Sequence, residues 1–479
     1  MAEKKETLGL NVKKSDNLSE WYTQLVQKAE LADYSSVSGC MVLRPNSYAI
    51  WENIQKIFDS MIKNTGHKNA YFPLFIPEHL LMKEKEHVEG FAPEVAWVTH
   101  AGNTKMKERL AIRPTSETIM YESYANWIRS WRDLPLLINQ WCNIVRWEFK
   151  YPKPFLRTRE FLWQEGHTVH AEEKEADKEV MDVLGMYKDL MENYLAIPVL
   201  TGKKTDKEKF AGAVYTMTLE AFMPDGKALQ MGTSHMLGQN FAKAFKIKFL
   251  GKDEKYHIPW QTSWGISTRM IGAIIMVHGD DNGLVIPPKI APIHAVIVPI
   301  IFDKSKEDIL KKAEEIKNKL KKYNIEIDKR DEYSPGWKFH EWELKGVPLR
   351  IELGPKDLEK SQVVLVRRDT GEKEFVKITE LNKKVKQTLD EIQKNLFTKA
   401  KKFMDSNIVE VDNWKDFLKA IKAKKIPKAF FCGEKECEES IKFESDGATS
   451  RCIEPDKESG KCIKCGKKAK YKVYFSKSY

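Results

Sequence analysis

The stretch Asn143-IVRWEFKYPKPFLRTREFLWQEG-His167 decides how the rest of the chain is read. Its two ends alternate in character, and a loop holding Pro152, Pro154 and Arg157 separates them, so it predicts a hairpin with arms over 141–148 and 159–167. Residues two apart on a strand share a face, which puts Arg146 and Glu148 on one side of the first arm. On the returning arm Phe161, Trp163, Glu165 and His167 share a face in the same way. If the two faces coincide, the sheet presents carboxylates, a histidine, an arginine and aromatic rings together. Burying several charges without partners is costly. The residues alone therefore leave two readings open, a polar site sunk into a sheet or an exposed hairpin laced with surface ion pairs.

Working outward, the chain falls into three blocks. The first, 1–284, mixes helices with short strands. Ser15 or Asp16 can cap a helix with Leu18, Trp21, Leu25 and Val26 on one face, and a second helix follows Asn46 with Ile50, Ile54, Ile57, Phe58 and Met61 at helical spacing. Strands are expected over 69–76 and 227–233, and helices over 116–130 and 177–195. No glycine fingerprint opens a strand-to-helix turn, which argues against the Rossmann and P-loop nucleotide folds. The second block, 285–404, alternates β-branched runs (294–301, 325–329, 348–353, 362–368) with a helix striped by Ile309, Leu310, Ala313, Ile316 and Leu320. This pattern predicts a small α/β domain with parallel strands, closed by a long charged helix over 378–403. The third block, 405–479, is basic and cysteine-rich. The expected fold class is thus α/β and α+β, in several domains.

Bulk composition narrows the function classes. The 479 residues carry a net charge of +11 and are 42% hydrophobic, enough for real cores and compatible with a polyanionic partner. The charged segment Met1 to Lys14 does not read as a signal peptide, and no run is long and apolar enough to cross a bilayer. Seven cysteines in a chain of this length do not make a disulfide scaffold, and five of them follow Phe431. A cytoplasmic location is expected.

The hairpin resembles motif 2 of the class II aminoacyl-tRNA synthetases. That resemblance assigns Arg146 to the ATP α-phosphate, Glu148 to the adenine side, Arg157 to the outer phosphates and Phe161 to stacking on adenine. WGISTRMIGAIIMVHGDDNGLVIPP, from Trp264 to Pro288, resembles motif 3, with Arg269 on the ATP tail at the start of a helix that carries Gly272, Ala273 and Met276. Motif 1 is similar to 46–77, with Pro73 as its marker, and in the family it builds a homodimer interface. RPTSE (Arg113 to Glu117), WQEGH (Trp163 to His167), KFAG with Phe210, and QMGTSH (Gln230 to His235) resemble the prolyl members closely. They imply a proline site of Thr115, Glu117, Arg146, Trp163, Glu165, His167, Phe210 and His235, with Thr158, Gln230, Thr233 and Ser267 joining the ATP site. The chemistry suits proline: a secondary ammonium needs acceptors such as Thr115 and Glu117, and a pyrrolidine ring wants apolar walls such as Trp163 and Phe210. The resemblance implies a class II antiparallel-sheet domain that activates L-proline with ATP and Mg²⁺ and charges tRNA(Pro). His167 is expected to bind rather than to act as a base.

PGWKFHEWELKGVPLRIELGPKDLE, Pro335 to Glu359, resembles the base-reading surface of the family's anticodon domain. Arg350 and Lys356 would donate to guanine O6 and N7, and Glu343 and Asp357 would accept from its Watson–Crick edge. A salt-bridged strand edge is the rival reading there. In the third block Cys432 and Cys437 form C-x4-C and Cys462 and Cys465 form C-x2-C, a pattern that predicts zinc and leaves Cys452 out. The short ending at Tyr479 resembles the archaeal and eukaryotic form, whose terminal carboxylate docks near the active site. The interval between His167 and Gln230 has no room for the editing domain of bacterial-type enzymes. Two alternatives stay open: a threonyl or seryl synthetase, although no zinc-ligating set surrounds Gln230 to His235, and a non-catalytic RNA-binding paralogue, although such proteins tend to lose the arginines kept here.

Overall fold

The computed structural model describes residues 9–87, 94–148, 151–302, 305–454 and 459–479, so the first residues of the charged N-terminal segment lie outside the description. Helix α1 (Leu18–Lys28) is capped by Asn17, whose side chain accepts from the Glu20 amide at 3.1 Å. Ser15 instead donates to Asp16 at 2.8 Å, so the cap falls later than expected because Asn17 alone reaches an orphan amide of the first turn. Helix α2 (Pro45–Asn64) opens on proline, whose missing N–H costs nothing there, and buries Ile50, Trp51, Ile54, Phe58 and Ile62.

The strand expected over 69–76 divides in two. β1 (Lys68–Asn69) runs parallel to the main sheet, whereas Phe75–Pro77 joins a separate three-stranded sheet with Trp97–Ala101 and Thr104–Ile112. Pro73, between them, has no amide hydrogen to give a ladder. There follow α3 (Glu117–Trp127), β2 (Leu136–Val145), β3 (Glu160–His170), α4 (Glu173–Asp189), β4 (Leu200–Lys203), β5 (Tyr215–Phe222), β6 (Lys227–Gly238), β7 (Trp260–Ser267) and α5 (Arg269–His278). β2 stops one residue short of Arg146, whose amide donates to the Arg159 carbonyl at 2.7 Å and closes the mouth of the loop. α4 continues without a break into a π-helical turn, Leu190–Tyr194, capped by Leu195, so the helix reaches its expected end with a widened last turn.

These strands form one antiparallel sheet whose two faces differ by parity. Trp264 and Ile266 of β7 point to the back, where α1, α2, α4 and α5 bury them. Phe58 stacks on Tyr187 at 5.0 Å and meets Trp264 edge-on at 6.3 Å. Gly166 is required beside them, since a Cβ there would lie 2.2 Å from the Trp264 ring. Each ring this size contributes about 1.5–3 kcal/mol by leaving water, so the back face is what fixes the strands' register.

The second block comprises β8 (Ala295–Pro299), α6 (Lys306–Lys319), β9 (Ile325–Ile327), α7 (Pro335–Leu344), β10 (Leu349–Leu353), β11 (Gln362–Arg367), β12 (Lys373–Lys377) and α8 (Leu381–Asn407). Its sheet order is β9-β8-β10-β11-β12, parallel across the first three and antiparallel thereafter. The third block holds β13 (Ile408–Glu410), α9 (Trp414–Lys422), β14 (Ile426–Phe431), α10 (Lys435–Glu444), β15 (Thr449–Ile453) and β16 (Tyr471–Ser478). It has its own small core around Phe417, Phe431, Ile441 and Phe475. Its strands also extend the first block's sheet to eleven, in the order β13-β14-β16-β15-β4-β5-β6-β7-β3-β2-β1. Ile453 pairs with Lys203, and the end of β16 lies parallel to the start of β6. Among the described residues no helix is long and apolar enough to cross a membrane.

Candidate active site

The front face of the sheet carries the polar residues in rows. Gln140, Glu165, Gly265 and Thr233 lie side by side across β2, β3, β7 and β6, and Ile138, His167, Ser263 and His235 form the next row. Cys142, Trp163 and Ser267 make a third row. Over this face opens a cavity of about 290 Å³. Thr115, Glu117, Arg146, Phe161, Trp163, Glu165 and His167 line it from β3, the end of β2 and the start of α3. Phe210, Gln230, Thr233, His235, Ser267 and Arg269 line it from the opposite side.

At its floor the carboxylate of Glu165, 1% exposed, is saturated with donors. Ser116 donates from both amide and hydroxyl, Gln140 Nε2 donates at 3.0 Å, and His167 Nε2 stands at 3.0 Å. Burial alone would raise the Glu165 pKa, but the hydrogen bonds from His167, Ser116 and Gln140 and the charge of His167 hold it below the ordinary range. Burial likewise opposes a charge on His167, yet the Glu165 hydrogen bond and the charges of Glu117 and Glu165 raise its pKa. The two form a buried ion pair whose purpose is visible in what it grips: Ser116, and through it the turn that presents Thr115 and Glu117. Thr115 Oγ1 donates to Glu117 Oε2. Tyr121 Oη meets His167 Nδ1 at 3.0 Å and so fixes the ring from α3.

Two guanidiniums face this floor. Arg146 donates from Nε to the Pro114 carbonyl at 3.0 Å and lies 5.7 and 5.6 Å from the rings of Phe161 and Trp163. Burial lowers its pKa, and the charges of Glu148, Glu117 and Glu165 work against that. Arg269, at the first turn of α5, donates to the Gln230 carbonyl at 3.3 Å. Burial brings its pKa down to about 10, with repulsion from Arg146, Arg157 and Arg451 adding and Glu220 opposing. Two guanidiniums lining one cavity make it a site for an anion. The loop that carries Arg157 is anchored where Tyr22 donates to the Pro154 carbonyl at 2.7 Å. It is anchored again where Leu156 occupies the space that a Cβ on Gly272 of α5 would need, at 2.6 Å.

Not every residue singled out from sequence lines the cavity. Glu148 is exposed in the turn after β2, Arg157 is exposed in the loop, and Thr158 is buried beyond it. Conversely Lys204, Glu208, Thr216 and Ser263 line the cavity and were not singled out. Thr216 Oγ1 lies 2.9 Å from His235 Nδ1 and accepts from the Phe210 amide at 3.0 Å. Burial takes the His235 pKa down to about 3, so this ring is neutral beside Phe210, 4.8 Å away. Hairpin register alone would have paired Thr216 with His235, whereas Lys204 and Glu208 sit in a charge run that reads as solvated surface.

In the second block Arg350 is held on both sides, by Glu343 at 2.7 Å and Glu352 at 3.0 Å, with its side chain 9% exposed. Asp357 accepts from the Gly354 amide at 3.1 Å and from Gln362 at 3.3 Å, while Lys356 is exposed. In the third block Cys432, Cys437, Cys462 and Cys465 bring their sulfurs within 4.8 Å of one another. The Cys437–Cys462 and Cys432–Cys465 separations are 3.6 and 3.8 Å. A tetrahedron with metal–sulfur bonds of about 2.3 Å has edges of about 3.8 Å, so the set fits zinc. Burial would raise the Cys462 thiol, but amides of Cys465, Lys464 and Cys432 bring it down to about 7. Cys452 is buried apart from the cluster.

An antiparallel sheet that sets one arginine at a hairpin and another at a following helix over a buried carboxylate pocket defines a class II aminoacyl-tRNA synthetase core. The family model "tRNA synthetase class II core domain (G, H, P, S and T)" matches residues 98–278. "Anticodon binding domain" matches 294–388 and "Prolyl-tRNA synthetase, C-terminal" matches 414–479. A "Proline–tRNA ligase 2" of Bacillus cereus is 54% identical over 479 residues, covering 99% of this chain and 100% of the relative. "Proline–tRNA ligase" of Ruminiclostridium cellulolyticum is 55% identical over 483 residues and 100% of both chains, and that of Clostridium botulinum 54% over 97% of both. The chain belongs to the prolyl-tRNA synthetase family. These end-to-end bacterial relatives share the short layout likened above to the archaeal and eukaryotic form.

Proposed function

We propose that this chain is a proline–tRNA ligase that activates L-proline with ATP and transfers the prolyl group to the 3′ end of tRNA(Pro). The observation that carries the reading is the single face on which Arg146 and Arg269 stand over the Thr115–Glu117 and Glu165–His167 floor. Thr115 and Glu117 take the secondary ammonium of proline, and Trp163, Phe210 and neutral His235 wall its ring. Arg146 draws the proline carboxylate and the α-phosphate together, and the carboxylate oxygen attacks phosphorus as pyrophosphate leaves. Arg269 and Arg157 hold the outer phosphates. Phe161 stacks on adenine, with Glu148 and Thr158 at the ends of the loop and Gln230, Thr233 and Ser267 across from it. Mg²⁺ bound with ATP would add to the arginines' neutralisation of phosphate charge. In the second step the terminal adenosine hydroxyl attacks the acyl carbon and AMP departs.

The division into 1–284, 285–404 and 405–479 then separates catalysis, anticodon reading and a zinc-held C-terminal unit. Arg350 was expected from sequence to donate to guanine, but its Nε, Nη1 and Nη2 are engaged by Glu343 and Glu352, so it serves anticodon reading by presenting Glu343. Asp357, expected as an acceptor, shapes the turn, and exposed Lys356 keeps its expected place as a donor. Exposed Tyr48, Tyr71 and Phe75 in the motif 1 region support a homodimer, and the enzyme works in the cytoplasm. Cys432, Cys437, Cys462 and Cys465 would hold a zinc ion through four thiolates, a donor set that suits a structural role.

ATP–pyrophosphate exchange tests this reading. It should depend on proline, and Arg146→Ala and Arg269→Ala should each lower it at least about a hundredfold, the scale of losing one charge-stabilising donor. Near-normal exchange in both folded variants, or exchange driven by threonine or serine in place of proline, would sink it.

A further inference from the structure

The segment that carries Lys204, Glu208 and Phe210 into the cavity wall is braced from behind by the third block. Lys204 Nζ, with its side chain 5% exposed, lies 3.2 Å from Glu220 Oε1 of β5. The other oxygen of that carboxylate receives Arg451 of β15 from Nη2 at 2.8 Å and Nε at 3.2 Å, and Thr218 completes the shell at 2.8 Å. Glu220 and Arg451 side chains are 2% and 6% exposed, so the three charges form a dry row: pocket cation, anion, cation of another block. One residue further on, Thr205 bonds Glu438 at 3.1 Å and Ser450 at 3.0 Å, both of the third block.

Arg451 has no place in the cavity lining, yet the buried carboxylate between it and Lys204 ties the two positions together. With Arg451 removed, Glu220 would lose the two bonds that fix its far oxygen, and the buried carboxylate would shift together with the Lys204 ammonium it already holds at 3.2 Å. We propose that Arg451 is a positioning residue of the amino-acid pocket, acting through Glu220 on Lys204 and the wall that leads to Phe210, so that the third block takes part in binding proline. The inference rests on the reading of the cavity as the proline site. It predicts selectivity, because the bonded row runs from Arg451 through Glu220 to Lys204, whereas Arg269 is held from Gln230 and Ser267 outside that row.

The test is proline-dependent exchange by the full chain, with KM measured separately for proline and ATP. Arg451→Met, which keeps bulk and removes charge, should raise the proline KM about tenfold or more and leave the ATP KM within about twofold, the scale of one lost buried charge-assisted contact. Arg451→Lys should fall between this and wild type. An unchanged proline KM in folded Arg451→Met overturns the proposal, as does a parallel rise of both constants, which a merely loosened block would give. If Arg451→Met cannot be purified, a wild-type proline KM in Arg451→Lys overturns it equally. Wild-type protein without proline-dependent exchange would refute the underlying function instead, so the two failures are distinct.

Discussion

Replacing Glu165 by glutamine keeps the shape of the floor and removes its charge. Five groups then lose an anion at once: the Ser116 amide and hydroxyl, Gln140 Nε2, His167 Nε2 and Cys142 Sγ. The new amide brings donors to a place already filled by donors. Breaking a buried pair by altering one partner costs about 3–5 kcal/mol. At about 2–4 °C per kcal/mol this lowers the melting midpoint of the first block by roughly 6–20 °C. The loss also has a pH signature. The folded pKa of His167 lies above its ordinary 6.5, so its contribution is complete below 6.5 and disappears as pH rises through the raised value. The folded pKa of Glu165 lies below its ordinary 4.5, so its contribution is complete above 4.5 and disappears as pH falls through the lowered value. Both are fully present between about pH 4.5 and 6.5, where wild type should exceed Glu165→Gln by the most. The gap should narrow on the alkaline side as His167 turns neutral, towards the roughly 1–3 kcal/mol left by mismatched hydrogen bonds. Thermal unfolding of both proteins at pH 5.5, 7.0 and 8.5 measures this. Equal stabilities, or a gap that widens with pH, would show that the pair is not charged in the folded protein.

Three further outcomes follow from the same structure. The interval between β3 and β6 is filled by α4, β4 and β5, and pockets lose only about 1–3 kcal/mol per missing methylene, so alanine and cysteine should be activated detectably and alanyl-tRNA should not be hydrolysed by this chain; rapid deacylation would contradict that. Arg350→Ala should free Glu343 and raise the tRNA KM by the equivalent of about 1–3 kcal/mol with pyrophosphate exchange intact, and equal charging of a transcript with both anticodon guanines replaced would refute the role. Protein purified without chelator should contain about one zinc per chain by elemental analysis. Cys462→Ser should lower that content and loosen β16 in hydrogen exchange while Cys452→Ser leaves it unchanged, and metal-free protein with an equally protected C-terminus would remove the site.

The site was legible in the sequence wherever one element sufficed to define it. Parity along a strand has no slack, so Phe161, Trp163, Glu165 and His167 could be put on one face from their spacing, and they do line one cavity. Glu148 lies past the end of β2 at Val145, exposed in the turn, yet its charge still reaches Arg146, the residue it was placed beside. A strand over 69–76 failed because Pro73 divides it between two sheets. Cysteine spacing was informative because a tetrahedral metal restricts distances through a short loop, and the sulfurs do meet. What spacing could not reveal is pairing between distant segments. Glu220 and Arg451 stand 231 positions apart, each looks like an ordinary surface charge in its own neighbourhood, and only the joining of β15 to β4 buries them together. The third block read as a zinc-binding domain whose chain end docks near the active site. The docking goes further than that, since its strands complete the sheet that carries the site and its arginine shares a carboxylate with a residue of the pocket wall. A buried anion between two cations from different blocks is costly to leave half-paired, so the docked block and the ordered wall should be gained or lost together.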